Sequence, residues 1–285
     1  MKYRMLGLDL DGTLLGSGGE LSEANRVAVA RAMDAGMLVV PCTGRAWRES
    51  RHVLARLPRI EVGVFVGGAA VSRIEDGATA DLAAIEPTLA LRLVEHLADF
   101  PEAVLVYQDV AAAGCDYLIT GRGTLTGNTR WWFEVTQAVV RECRDPTLED
   151  LHHTMRVGVV APGSRVVPVE RGLAEAFRGQ VLVHSFEAVQ SPDPEENVHV
   201  LEVFAAGVDK WRGLMWVARQ HGIEPHEVAV IGDEINDLAM IRSAGCGIAM
   251  GNAIDLIKRT ARHVTLSNDA HGVAHALEKI MRGEW

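Results

Sequence analysis

Apolar runs and amphipathic stretches alternate from the first residues of the chain. Residues 3–9 form a short apolar run that reads as a buried strand. SEANRVAVARAMDA (22–35) has helical spacing, with Ser22 as its N-cap and Gly36 as its stop. MLVVPC (37–42) reads as a second strand, WRESRHVLARL (47–57) as a helix and VGVFV (62–66) as a third strand. The order β-α-β-α-β predicts a parallel sheet with crossover helices. The C-terminal third has the same texture. WRGLMWVARQH (211–221) reads as a helix ended by Gly222, VAVIG (228–232) as a strand and INDLAMIRSA (235–244) as a helix. CGIAM (246–250), IDLIKRTA (254–261), HVTL (263–266) and GVAHALEKIMR (272–282) continue as strand, helix, strand and closing helix.

Between residues 84 and 190 the pattern changes. A helix (LALRLVEHLADF, 89–100) and two short strands (AVLVY, 103–107; CDYLIT, 115–120) lead into a Gly/Thr-rich loop, GRGTLTGNTRWW (121–132). MRVGVVA (155–161) and QVLVHS (180–185) read as strands flanking a helix. The segments on either side each lack enough strands to stand alone. The expected fold class is therefore α/β: a doubly wound parallel-sheet core (1–83 and 191–285) with an inserted α+β domain (84–190). DPEEN (193–197) reads as a solvated linker back into the core.

Composition narrows the partners. At 285 residues the chain is long enough for one or two domains. A formal charge of −10 argues against nucleic acid or an anionic membrane, since phosphate-backbone binding needs a basic excess on some face. The four cysteines are scattered without CxxC spacing, which predicts reduced thiols in a cytoplasmic protein and neither a disulfide framework nor a zinc site. MKYRMLGLDLDG has too short an apolar run for a signal peptide or anchor, and VGVFVGGAAV (62–71) is too short and Gly-rich to span a bilayer. Monomer and homodimer both remain open.

Four polar insertions call for explanation: Asp9 and Asp11 after the first strand, Thr43-Gly44-Arg45 after the second, Lys210 opening a helix, and GDEINDLAM (232–240) after VAVI. In a doubly wound sheet the carboxyl ends of the strands line one edge, where ligands bind. Each insertion has a bland reading. Aspartates make turns, Asp233 and Thr43 make N-caps, Arg45 lies on the surface and Lys210 snorkels to solvent. Yet a cation at a helix N-terminus opposes the macrodipole unless an anion faces it. Together the residues have a chemical sense. Asp9 and Asp233, with a backbone carbonyl at Asp11, are hard oxygen ligands suited to Mg²⁺. Lys210 and the hydroxyl and amides around Thr43-Gly44 would neutralise a phosphoryl group. One carboxylate can attack phosphorus while a second, two residues on, transfers protons.

At this point the sequence resembles the haloacid dehalogenase superfamily, in its Cof-like type IIB branch of phosphatases. The matching pieces are DLDGTL (9–14), TGR (43–45), Lys210 and GDEINDLAM (232–240), with AMGNA (249–253) and TLSNDAHGVAHAL (265–277) similar to the branch's C-terminal segments. The resemblance implies a Rossmann-like core with a type C2 cap, Asp9 as nucleophile and Asp11 as general acid/base. It implies Thr43, Gly44 and Lys210 on the phosphoryl group, Asn236 touching phosphate, Asp9, Asp11 and Asp233 on Mg²⁺, and Asp237 supporting metal and lysine from behind. Arg45 and Asn268 would touch substrate or tie the cap to the core. Two departures stand out: Gly67-Gly68-Ala69 where many relatives have Asn-Gly-Ala, and Trp211 after the lysine where Gly is usual.

Trp131-Trp132 offer a stacking platform for a sugar, although packing is the commoner use of such a pair. The histidines show no ligand spacing, and His199 and Glu202, three apart on a strand, should face opposite sides. No GxxxxGK[ST] loop is present. The expected function is a Mg²⁺-dependent phosphatase of small phosphorylated metabolites, with sugar phosphates foremost, working through an aspartyl-phosphate beneath a cap that closes and opens. A phosphomutase, which passes the phosphoryl group to a sugar hydroxyl, and a non-catalytic phosphometabolite sensor are the alternatives.

Overall fold

The computed structural model describes residues 2–57, 59–189 and 197–285. The N-terminal segment holds β1 (Met5–Leu8), α1 (Glu23–Asp34), β2 (Leu38–Pro41), α2 (Trp47–Leu54), β3 (Val62–Phe65), β4 (Ala70–Arg73) and β5 (Thr79–Leu82). The middle segment holds α3 (Pro87–Leu97), β6 (Val104–Gln108), α4 (Val110–Ala113), β7 (Tyr117–Thr120), α5 (Gly127–Thr136), β8 (Val140–Glu142), β9 (Thr154–Pro162), α6 (Gly163–Ala176), β10 (Val181–Val189) and β11 (Val198–Ala205). The C-terminal segment holds α7 (Lys210–Gln220), β12 (Val228–Gly232), α8 (Leu238–Ser243), β13 (Cys246–Ala249), α9 (Asp255–Thr260), β14 (His263–Val264) and α10 (Gly272–Met281). The chain divides into two compact units, Met1–Asp81 with Asp209–Trp285, and Leu82–Val208.

In the first unit, five parallel strands run in the order β14-β13-β12-β1-β2. β1, with the sequence MLGL, is buried at every position, as a strand covered on both faces must be. α1 starts where its sequence predicts, with the Ser22 hydroxyl accepting from the Asn25 amide at 3.2 Å. β1 lies between β2 and β12, so the connections diverge there, and the loops after β1, β2 and β12 meet at one sheet edge.

Two readings of this unit need correction. The third strand joins the parallel sheet only through a bridge between Cys42 and Val64, and otherwise starts an antiparallel sheet β3-β4-β5. The tight turn Val66–Gly68 returns the chain directly, where a parallel neighbour would need a crossover. The expected helix 235–244 is instead one turn, Ile235–Asp237, followed by α8. The turn is tied by the Asp237 carboxylate, whose Oδ2 accepts from the amides of Asp233 (2.9 Å) and Glu234 (3.2 Å).

The second unit is a six-stranded sheet, order β10-β11-β9-β6-β7-β8, antiparallel except for the β7–β8 pair. Its core lies on one face, where Leu93, Leu97 and Leu173 of α3 and α6 pack on Val106, Val157 and Leu201. The Gly/Thr-rich segment is half helical: Thr126 accepts from the Thr129 amide at 3.2 Å and starts α5, which carries Trp131 and Trp132. β11 belongs to this unit because it pairs with both β9 and β10. Residue 191 and most of DPEEN lie outside the described residues. His199 and Glu202 do take different partners: Glu202 pairs with His184, while His199 approaches Glu187. Among the described residues, no helix is long and apolar enough to cross a membrane.

Candidate active site

β1 delivers Asp9 to the sheet edge, where its amide donates to Ile231 O of β12 at 3.1 Å. The chain then turns through Leu10–Leu14, closed by the Leu15 amide on Leu10 O at 2.9 Å. Gly12 makes the turn possible for two reasons. Its φ is +71°, and a Cβ there would lie 2.2 Å from Asp233 Oδ2. The turn thus presses directly on the carboxylate that follows β12.

Lys210, the first residue of α7, is 1% exposed and does not reach solvent. Its ammonium donates to Asp9 Oδ1 and Asp237 Oδ1, both at 2.6 Å, and to Asn236 Oδ1 at 3.2 Å. The anions that its place at a helix N-terminus calls for are therefore present. The backbone that seats it is close to Gly68, where a Cβ would lie 1.9 Å from Asp209 O and φ is +106°. Burial alone would lower the Lys210 pKa, but attraction from Asp237 and Asp9 outweighs it and holds the ammonium charged.

The carboxylates are under-compensated. Burial and repulsion from Asp237 push Asp9 well above the usual carboxylate range, Asp233 adds to the push, and Lys210 opposes it. Burial and Asp237 raise Asp233 to about 6, even though Thr13 donates to its Oδ1 at 2.9 Å. One oxygen each of Asp9, Asp233 and Asp237 lies within 4.8 Å of the others. Three buried or half-buried acids around one lysine leave negative charge that a divalent cation would neutralise, and oxygen donors suit a hard ion.

Thr43 is buried, with its amide on Val64 O (2.9 Å) and its hydroxyl oxygen accepting from the Arg45 amide (3.1 Å). Gly44 faces Asn236, whose Nδ2 would lie 3.7 Å from a Cβ at that position. Asp11 turns away from the acidic trio. Its half-exposed carboxylate takes both arms of the Arg45 guanidinium, Nε–Oδ2 at 2.7 Å and Nη2–Oδ1.

A family profile described as haloacid dehalogenase-like hydrolase matches residues 6–277. The chain belongs to that family. Two Bacillus subtilis proteins named 5-amino-6-(5-phospho-D-ribitylamino)uracil phosphatase are similar to it. YitU is 28% identical over 98% of this chain and 97% of its own, and YwtE 27% identical over 99% of each. A solved haloacid dehalogenase-like hydrolase from Bacteroides thetaiotaomicron is 28% identical, covers 98% of this chain and 99% of its own, and superposes with a TM-score of 0.76.

In this haloacid dehalogenase-like hydrolase, Asp9, Lys210, Asp233, Asn236 and Asp237 come together at one sheet edge. Asn268 does not join them. It is buried, and its Nδ2 donates to Leu15 O at 3.0 Å, tying the Asp9 turn within the first unit. Arg45, expected on substrate or cap, is engaged with Asp11. Trp131 is 60% exposed on α5, its ring 6.4 Å from that of Trp132. Sequence reasoning passed over Thr13, Asn25 and Asn252. Thr13 binds Asp233, Asn25 donates to Leu14 O at 3.1 Å and Asn252 to Gly12 O at 2.8 Å. AMGNA contained the only signal for Asn252, because its partner lies 240 residues away.

Proposed function

We propose that the protein is a Mg²⁺-dependent phosphatase of small phosphorylated metabolites, with sugar or polyol phosphates as its substrate class, acting through a phosphorylated Asp9. The observation that carries this reading is the buried Asp9 carboxylate, fixed at 2.6 Å by a lysine that stays charged, beside two further acids. Asp9 and Asp233, with the Asp11 backbone carbonyl, are the residues that would hold Mg²⁺. When bound, the ion supplies positive charge against the phosphoryl oxygens.

The residues of the chain account for the remaining steps. Asp9 attacks phosphorus, so a bond from its carboxylate oxygen to phosphorus forms as the ester P–O bond breaks. Asp11, released from the Arg45 fork and protonated, gives its proton to the leaving oxygen. Water then attacks the same phosphorus, Asp11 takes the proton that water loses, and the bond to Asp9 breaks to release phosphate. Lys210 holds Asp9 in place and offsets the charge gathered at the centre. Thr43, Gly44 and Asn236 are the groups assigned to the phosphoryl oxygens, consistent with Gly44 facing the Asn236 amide.

The names of the Bacillus relatives support the substrate class, since each specifies a phosphate ester on a ribityl chain. The test is phosphate release from sugar and polyol phosphates, with 5-amino-6-(5-phospho-D-ribitylamino)uracil among them, with and without Mg²⁺. Metal-dependent release that disappears in Asp9→Asn supports the reading. Release unchanged by Asp9→Asn, or none from any ester, contradicts it.

A further inference from the structure

Three asparagines grip the carbonyls of the Asp9 turn from outside: Asn25 on Leu14, Asn268 on Leu15 and Asn252 on Gly12. Asn25 and Asn268 are buried and act at the far end of the turn. Asn252 is exposed, so burial does not force its amide into protein hydrogen bonds, yet both ends are committed. Its Oδ1 accepts from the Asn268 amide at 2.9 Å, which identifies the acceptor end and leaves Nδ2 toward the turn. Nδ2 donates to Gly12 O at 2.8 Å and also lies 3.5 Å from Asp233 Oδ2. The base of the loop is anchored to the same aspartate, through the Ile254 amide on Asp233 O at 3.1 Å.

We propose that Asn252 is a positioning residue for the divalent-cation site. It fixes the spacing between the turn that carries Asp9 and Asp11 and the Asp233 carboxylate. This rests on the reading that Asp9 and Asp233 hold Mg²⁺. Thr13 secures Asp233 Oδ1, while Asn252 stands at Oδ2. The 3.5 Å contact is weak by itself, so the greater part of the effect passes through the Gly12 carbonyl. Freed from that tie, the turn can shift against Asp233, and the oxygen cage loosens before any ion arrives. Substrate contact by Asn252 is not required.

The test is calorimetric titration of MgCl₂ into the metal-free full-length protein, with wild type, Asn252→Ala and Asn268→Ala compared. Asn252→Ala is expected to weaken Mg²⁺ binding about 10–100-fold, the range for partners that orient metal-binding side chains. The Mg²⁺ concentration for half-maximal phosphate release should shift by the same factor. Asn268→Ala frees only Leu15, at the far end of the turn, and leaves the Asn252 side chain on Gly12 O, so its loss of Mg²⁺ affinity is expected to be clearly smaller than that of Asn252→Ala. Asn252→Ser, which keeps a shorter donor, should give an intermediate loss and serves if the alanine variant does not fold. Equal losses in Asn252→Ala and Asn268→Ala would reduce Asn252 to general loop support and overturn the proposal. Unchanged affinity in the Asn252 variants would overturn it while leaving the metal reading intact. Absence of Mg²⁺ binding by wild type would overturn both.

Discussion

Glu202 in the second unit and Asp9 in the first are both buried carboxylates with a cationic side chain at hydrogen-bond distance. Burial alone pushes both upward. Glu202 nevertheless lies below the usual range, because Arg156 and His184 both face its one negative charge, His184 at 3.0 Å. Asp9 lies well above that range, because it shares Lys210 with Asp237 and also faces Asp233. The first arrangement is complete in itself and reads as a structural ion network. The second is short of positive charge, which is the state of a site built around a cation and an anionic substrate. Burial and charge alone do not distinguish the two centres; the balance of charge does.

Removing the single cation should give the largest effect. Lys210→Met leaves Asp9 and Asp237 buried without their partner, at a cost of about 3–5 kcal/mol in urea unfolding. Phosphate release should fall by at least about 10²–10³-fold. In the balanced centre, Glu202→Gln removes the negative charge that Arg156 and His184 face and should cost about 3 kcal/mol, yet leave the thermal stabilisation by Mg²⁺ as in wild type. Asp233→Asn should reverse the sign. It removes repulsion and keeps an acceptor for Thr13, so the metal-free protein should gain about 1 kcal/mol at pH 7, a rise in melting temperature of about 2–4 °C. The same change should abolish the stabilisation by Mg²⁺.

The smallest effect is the pH dependence. Asp233 has a folded pKa of about 6 against an unfolded value of about 3.9. The folded state therefore binds the proton more tightly, and stability is gained as pH falls from about 6 toward 4. Asp9 shifts in the same direction. Glu202 is depressed, so its contribution is present above its unfolded pKa of about 4.3 and is lost as pH falls through its lower folded value. In EDTA the melting temperature should rise between pH 7 and pH 5, and saturating Mg²⁺ should flatten that rise. A rise that persists with Mg²⁺ would break the contrast between the centres.

The sequence made the centre of the site visible because its residues violate local expectation. Acids end an apolar strand, and a lysine opens a helix against its dipole. The parallel sheet of the core followed from the alternation of apolar runs and capped helices, whereas its strand order came only from the fold. Other parts were hidden for physical reasons. AVSR and TADL in β4 and β5 are short and partly polar, so a hairpin after the third strand left no periodic signal. The helical half of the Gly/Thr-rich segment depends on one cap, Thr126, within a run that reads as loop. Asn252 and Asn268 reach carbonyls 240 and 253 residues away, a pairing that only the folded chain reveals. The Arg45–Asp11 fork joins two loops at the sheet edge and is invisible in either alone.

The most direct test of phosphoryl transfer through Asp9 is to quench wild-type enzyme in acid during turnover of a sugar phosphate with Mg²⁺, then map the protein by mass spectrometry. The account predicts one phosphoryl group on the peptide that contains Asp9, absent without Mg²⁺ and absent in Asp9→Asn. Turnover without any phosphorylated peptide, or with the phosphoryl group on a residue other than Asp9, would contradict it.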